Sequence, residues 1–443
     1  MRAVVLFAVA MRACALVSRA SCGAVRASAR TMRWSEPVVE SKAARKGLAT
    51  WVKGKPKAVF AGVGPTPPSC AGAGTAVSGL PDTARRYFVL GVETSCDDTA
   101  AAVVSSDGEI LGEAVASQHA VHAEFGGVVP GLARDAHAAA IESVVARALE
   151  AAGLDDAGGV DAVAATVGPG LEICLRVGAR AASRIAAAHG KPFVRCHHLE
   201  SHCLIARLGK RGDLPFPFLA LLVSGGHCQL LWVAGVGDLA VLGGTLDDAL
   251  GEAYDKAARM LGLAAPTGGG PAVEAAALAG NATAYPLPVP MRAKKTCDFS
   301  YAGLKNALRV QIGKARAALD LADDEPLPAA AAADLAASFQ NCALAHIEDR
   351  LRIAFKAAPA PADGGRPRLA VVGGVAANAE LRKRVAALCE EGGWDLSVPP
   401  PRLCTDNGAM VAWNAIEKLD LGFSDAADDD EVIARWPFRE FAE

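Results

Sequence analysis

No stretch of this 443-residue chain holds the roughly 20 consecutive apolar residues of a membrane-spanning helix, so no span is expected. No Cys-x-x-Cys occurs among its 12 cysteines. They are scattered through apparent strands and helices, among them Cys96, Cys174, Cys228 and Cys404. That pattern fits free thiols in a reducing compartment better than a disulfide framework. Gly-x-x-x-x-Gly-Lys-Ser/Thr is missing, as is Gly-x-Gly-x-x-Gly after a strand, so neither a P-loop enzyme nor a dinucleotide enzyme is supported. His-Glu-x-x-His is missing too. Negative charge is scarce at the start, where the first acidic residue is Glu36.

That scarcity divides the chain. Residues 1–80 carry a net charge of +10 and the rest −13, within a total of −3. A basic, Ser/Ala-rich, acid-poor beginning has the character of an organellar transit peptide. Residues 1–85 are therefore read as a leader outside the fold, and the mitochondrion is the favoured destination. The run Ala3–Ala10 after Arg2 also fits a short secretory core followed by a transit segment, so a plastid stays open as the alternative. The acidic body is not the profile of a stand-alone nucleic-acid binder. If it binds RNA, a local basic patch or a partner must supply the phosphate contacts.

The body is organised around Val89–Val103. Two strand-type runs flank a turn holding Glu93, Thr94, Ser95, Asp97, Asp98 and Thr99, which reads as a hairpin. Its hydroxyls and carboxylates suit phosphate and metal, or an ordinary polar hairpin tip. Strand-type runs at 88–94, 100–105 and 110–117 precede a helical stretch near 129–152, with apolar positions at helical spacing. A strand at 160–167, a helix after Gly170 and a strand at 193–196 complete βββαβαβ. The order recurs with strands at 218–223, 228–234 and 239–243, a helix at 248–261, a strand at 369–372, a helix at 376–391 and a strand at 395–398. Two such halves make an α/β fold of two RNase H-like lobes, of the actin, Hsp70 and sugar-kinase type, with nucleotide in the cleft between them. The expected boundaries are 86–215 for the first lobe and 216–419 for the second, with a mostly helical insertion at 278–361. The segment 420–443 is expected back on the first lobe.

Four constellations carry chemistry. His198 and His202 are four apart, so on a helix both imidazoles share one face, which suits a shared metal or is a chance pairing of a kind that arises often. Leu199 stands where a zinc peptidase has its general base. Asp406 is the candidate third ligand; alternatively it or Thr405 caps the last helix. In Leu222-Val223-Ser224-Gly225-Gly226 a strand ends in small residues that can cradle phosphate or merely close a hairpin. In Val371–Asn378 a strand ends in Gly-Gly and a helix follows, which suits adenine, ribose or phosphate. Along the helix from Asp248, Asp255 can bind ribose hydroxyls, or the segment is an exposed face with a Glu252–Lys256 pair. Gly268–Gly270 then opens the next helix, with Pro271 at its first position.

Taken together, these segments resemble the TsaD family of tRNA N6-adenosine threonylcarbamoyltransferases, once described as O-sialoglycoprotein endopeptidases. The likeness runs from about Val89 to Trp436. It includes Gly91–Thr99, Gly126–Pro130 with His137, Thr166–Gly170, His197–His202, Leu222–Gly226 and Asp247–Lys256. It continues through Phe299–Lys305, Phe339-Gln340, Gly373–Asn378, Cys404–Asn407 and Arg435–Pro437. Gly170–Gly178, Thr267 and Ser201 depart from the bacterial pattern, and Val289–Met291 and Phe299–Ala302 look like the mitochondrial members of plants. The resemblance implies transfer of a threonylcarbamoyl group from threonylcarbamoyl-AMP to N6 of adenosine 37 in tRNAs reading codons that begin with A, giving t6A. It implies one metal, iron or zinc, on His198, His202 and Asp406. The adenylate would lie on Leu222, Val223, Ser224, Gly225, Gly226, Asp255, Gly270 and Asn378. It further implies a homodimer, supplied with substrate by a separate threonylcarbamoyl-AMP synthase. No covalent nucleophile is required. Lys294, Lys295, Lys305 and Arg309 are the candidate tRNA patch. The competing readings are a metalloendopeptidase, an ATP-dependent chaperone or scaffold on the same fold, and a non-catalytic assembly subunit.

Overall fold

The computed structural model describes residues 80–440 apart from 123–124, 126, 264–267, 323–324, 362–363 and 428. The leader and its targeting signal, Gly126 and Thr267 lie outside the described residues. No helix among the described residues is long and apolar enough to cross a membrane.

The first sheet is built by β1 (Phe88–Glu93), β2 (Asp98–Ser105), β3 (Ile110–Ser117), β4 (Ala162–Gly168) and β5 (Phe193–His197), in the order β3-β2-β1-β4-β5. β1 pairs antiparallel with β2 and parallel with β4. β1 and β4 are buried on both faces, which is why they read as continuous apolar runs. Edge strand β3 alternates buried and exposed positions through its middle. Helices α1 (Pro130–Ala151) and α2 (Glu172–His189) cover one face through Ile141, Val144, Ala148, Ala182 and Ala186. Pro130 is the first residue of α1, where its missing N–H costs nothing. α3 (His198–Leu204) follows β5 without a loop.

The second sheet repeats the plan. Its strands are β6 (Phe218–Val223), β7 (Cys228–Gly235), β8 (Asp238–Gly244), β9 (Arg368–Val372), β10 (Asp395–Ser397) and β11 (Arg439–Glu440), in the order β10-β9-β6-β7-β8-β11. Five of them reproduce the 3-2-1-4-5 order of the first sheet. The sixth, β11, is the chain's tail laid parallel beside β8. The fold is therefore the two-lobed RNase H-like α/β architecture expected. Helices α4 (Leu250–Leu261), α5 (Gly269–Ala277), α6 (Ala302–Ala318), α7 (Ala329–Ala357) and α8 (Ala379–Gly392) share the larger core with this sheet, around Phe299, Tyr301, Phe339 and Leu351.

Several element starts differ from the sequence reading, two of them through asparagine caps. α8 begins at Ala379 rather than 376, because the Asn378 side chain accepts from Leu381 N and a 3-10 turn, Gly374–Ala377, precedes it. α9 (Gly408–Asp420) is capped by Asn407, which accepts from Met410 N at 2.8 Å, not by Asp406 or Thr405. α5 begins at Gly269, placing Pro271 third rather than first. Packing also cuts across sequence order. α9 lies on the first sheet, with Met410, Trp413 and Ile416 among Val89, Val104 and Val194, although the sequence set residues up to 419 in the second lobe.

α9 approaches so closely because of two glycines. A Cβ on Gly91 would lie 2.3 Å from Ala412 N, and one on Gly408 would lie 2.3 Å from the Ala101 carbonyl carbon. Backbone cannot yield there as a flexible side chain would. Gly408→Ala is expected to cost about 1–3 kcal/mol of stability, the range for overpacking a filled interior. Urea titration checks this, and an unchanged midpoint would refute the close-packing account.

Candidate metal centre and nucleotide cleft

α3 is the element that places the site. All seven of its residues are buried. Leu199 and Cys203 pack with Leu222, Leu231 and Val372 of the second sheet, while Asn414 of α9 bonds Ser201 on its other side at 2.9 Å. The helix is thus wedged between the lobes, and its i, i+4 spacing turns His198 and His202 to the turn before α9. There His202 Nε2 lies 3.0 Å from Asp406 Oδ1, and His198 Nε2 lies 3.8 Å from the same oxygen. One ligand atom from each residue falls within 4.8 Å of the others. Because Asn407 does the capping, the Asp406 carboxylate is free to face the rings.

The opening turn supplies a group that sequence reasoning did not place. Glu93, wholly buried at the end of β1, accepts from Thr166 Oγ1 at 2.5 Å and from Ser95 N at 2.6 Å. Its Oε2 lies 3.2 Å from His198 Nδ1. Burial opposes charge on His198, but Glu93 and Asp406 outweigh it and raise its pKa to about 9. Burial likewise opposes ionisation of Glu93, and the facing His198 more than compensates, leaving its pKa lowered. A carboxylate on Nδ1 fixes the tautomer that turns Nε2 toward a metal. Ser95 Oγ also reaches Nδ1, at 3.3 Å. With Nδ1–H donated to Glu93 this nitrogen cannot act as a base on Ser95, so the contact is not a nucleophilic pair.

Two imidazole Nε2 atoms and a carboxylate oxygen suit iron or zinc. The His202 Nδ1 is buried with no hydrogen-bond partner among the described residues, so the protein alone does not satisfy this ring. Glu200 cannot replace a peptidase's general base. It is 2% exposed, accepts from Gly237 N and Asn414, and faces Lys418 at 3.4 Å. Among the described residues the buried cysteines are poor nucleophiles too. Burial raises the Cys196 and Cys228 thiols to about 12.

The second lobe brings the other motifs together. Ser224 N donates to the His227 carbonyl, and His227 N donates to Ser224 Oγ, closing the β6–β7 turn. Gly251 of α4 donates to the Ser224 carbonyl at 3.1 Å. Gly373, at φ +89°, sits where a Cβ would meet the Val223 carbonyl oxygen at 2.4 Å. Asp255 Oδ1 accepts from Gly269 N at 2.9 Å. Asn378, besides capping α8, donates to Gln340 at 3.1 Å, and Tyr254 donates to the same oxygen at 3.4 Å. His227, a residue the sequence did not single out, stays neutral. Burial and then the neighbouring His198 and His202 bring its pKa down to about 4.

The glycines separate into two kinds. Gly251 and Gly373 are required by neighbouring backbone. At Gly225, Gly226 and Gly270 nothing lies within 4 Å of an added Cβ, and none has a positive φ. Neither a close neighbour nor the backbone conformation demands glycine at these three positions. The basic patch is partly neutralised. Lys305 donates to Asp248 at 2.6 Å and Arg309 to Asn306 at 2.9 Å. Lys294 and Lys295 are exposed, without an ion pair among the described residues.

A family model described as tRNA N6-adenosine threonylcarbamoyltransferase, TsaD, matches residues 109–413. The chain belongs to the TsaD family. A curated relative in Paramagnetospirillum magneticum, named tRNA N6-adenosine threonylcarbamoyltransferase, is 48% identical over 353 residues, covering 79% of this chain and 96% of its own. An Arabidopsis thaliana relative, named as the probable mitochondrial tRNA N6-adenosine threonylcarbamoyltransferase, is 43% identical over 387 residues, covering 83% and 79%. A third, from Agrobacterium fabrum and named as the first, is 46% identical over 361 residues, covering 80% and 95%. The matched residues include every metal-ligand candidate, His198, His202 and Asp406.

The electrostatics of this TsaD-family centre set its response to pH. Without metal, His198 is protonated below about 9, and a metal on Nε2 must displace that proton. Uptake of Zn²⁺ at pH 7.5, measured by calorimetry in buffers of differing ionisation heat, is expected to release about one proton. Apparent affinity should fall as pH falls below 9 and level off above it. Uptake without proton release would refute the paired Glu93–His198 geometry.

Proposed function

We propose that this enzyme transfers a threonylcarbamoyl group from threonylcarbamoyl-AMP to N6 of adenosine 37, forming t6A in mitochondrial tRNAs that read codons beginning with A. Membership of the TsaD family supports the transferase activity. The observation that carries the mechanism is the buried triad His198, His202 and Asp406, backed by Glu93. The printed name of the Arabidopsis relative and the basic leader support the mitochondrion over a plastid.

The donor is a mixed anhydride, so its carbonyl carbon is already activated. N6 attacks that carbon, the bond to the phosphate oxygen breaks, AMP leaves with the electron pair, and N6 gives up a proton. The protein's task is then positioning and charge stabilisation. A metal on His198, His202 and Asp406, iron or zinc, supplies Lewis acidity toward phosphate and carbonyl oxygens when bound. Glu93 holds the proton at His198 Nδ1 and so keeps Nε2 facing inward. Leu222–Gly226, Asp255, Gly270 and Asn378 form the adenylate site, with the open space at Gly225, Gly226 and Gly270 taken by the ligand. Asn378 works through the start of α8 rather than by direct contact, since its side chain is engaged by Leu381 and Gln340. Lys294 and Lys295 are the tRNA-facing cations we favour. The enzyme works as a homodimer, receiving its donor from a separate threonylcarbamoyl-AMP synthase.

The test is t6A formation by purified protein with an unmodified tRNA, threonine, bicarbonate, ATP and that synthase. Product is expected with no further protein. Gly226→Ala should fold with unchanged stability and lose about 10-fold or more in kcat/KM for the adenylate. His198→Ala should abolish product. No product from the wild-type protein, alone or with partner subunits, would overturn the assignment. ATP hydrolysis without tRNA would turn it toward a chaperone.

A further inference from the structure

The tail after α9 crosses from one sheet to the other. Asp425 bridges to Phe193 at the start of β5. Arg195 bonds Asp429 at 2.8 Å and the Glu431 carbonyl at 2.9 Å. Ile433 N donates to the Val167 carbonyl at 2.7 Å, and Gly170 N donates to the Ala434 carbonyl at 3.2 Å. A Cβ on Gly168 would lie 2.0 Å from the Ile433 carbonyl oxygen, so β4 ends in a glycine that leaves room for the tail. The Trp436 carbonyl then accepts from His197 Nε2 at 2.8 Å. The Phe438 ring stacks on the same imidazole, centroids 4.3 Å apart and planes 22° apart. At the next residue β11 begins and joins β8, and Arg439 pairs with Asp238.

His197 is the point where this strap meets the metal helix. Its Nδ1 accepts from Leu199 N at 3.2 Å and Glu200 N at 3.3 Å, capping the first turn of α3. A ring that accepts at Nδ1 carries its proton on Nε2, and that proton goes to the Trp436 carbonyl. The tautomer that caps the helix therefore needs the acceptor that the tail provides. The next residue is His198, and one turn further is His202. We propose that the C-terminal strap Ile433–Phe438 is a positioning element of the metal centre. It locks His197 as the cap of α3, and through that cap it sets the placement of His198 and His202. This rests on reading His198, His202 and Asp406 as metal ligands.

Cobalt(II) binding to the full-length protein tests it, with affinity from chelator competition and geometry from the visible d–d bands. Three variants divide the contact. His197→Asn keeps a good helix cap but is too short to reach Trp436 or cover Phe438. Phe438→Ala removes the stack together with the ring's packing on the second lobe's core. A chain ending at residue 432 removes the strap, and its fold is followed by circular dichroism. Each folded variant is expected to bind cobalt about 10-fold or more weakly, as loss of a group behind a ligand does, with altered bands. His197→Asn combined with Phe438→Ala should cost less than the sum, because both act through one contact. Wild-type affinity and bands in folded His197→Asn and Phe438→Ala would overturn the strap's role. No cobalt binding by the wild-type protein would overturn the metal-centre reading, and the strap with it.

Discussion

Two carboxylates and two imidazoles share one buried place between the sheets, and the rest of the structure serves the need to keep them paired. Glu93 is wholly buried, and His202 and His198 are 1% and 8% exposed. An uncompensated ion there would be strongly destabilising, so each charge has to face its partner. The four residues come from β1, α3 and the turn before α9, which are far apart in the chain. What holds them in register is ordinary packing: Leu199 and Cys203 in the second lobe's core, Gly408 against β2, and Asn407 taking over the cap so that Asp406 is released.

Much of this was legible in the sequence, and what was not has a physical reason. Strands buried on both faces write themselves as apolar runs, so β6 was placed to the residue, the edge strand β3 was placed to the residue by its own run, and the doubled βββαβαβ order followed. The His198–His202 spacing is a local helical fact. Helix starts were misplaced where an asparagine captured a backbone N–H three residues on, as at Asn378 and Asn407. The contact of Glu93 with His198 spans 105 positions, and that of His197 with Trp436 spans 239. No periodicity carries such information; only the closure of both sheets creates it. The glycines were the most ambiguous letters. Gly373 and Gly408 are demanded by neighbouring backbone, while Gly225 and Gly226 are not, a distinction invisible before folding.

Charge follows the same division. The acidic body presents few free cations near the insertion, because Asp248 takes both Lys256 and Lys305. Arg292, Lys294 and Lys295 stay exposed on the neighbouring loop, without an ion pair among the described residues. The strong electrostatics are kept inside, where water does not screen them.

The central claim is that His198, His202 and Asp406 hold one metal between the lobes. X-ray absorption at the metal edge of zinc-loaded protein tests it most directly. The account predicts multiple scattering from two imidazoles with the remaining ligands oxygen, and one imidazole in His202→Ala. Sulfur ligation, or two imidazoles persisting in His202→Ala, would contradict it.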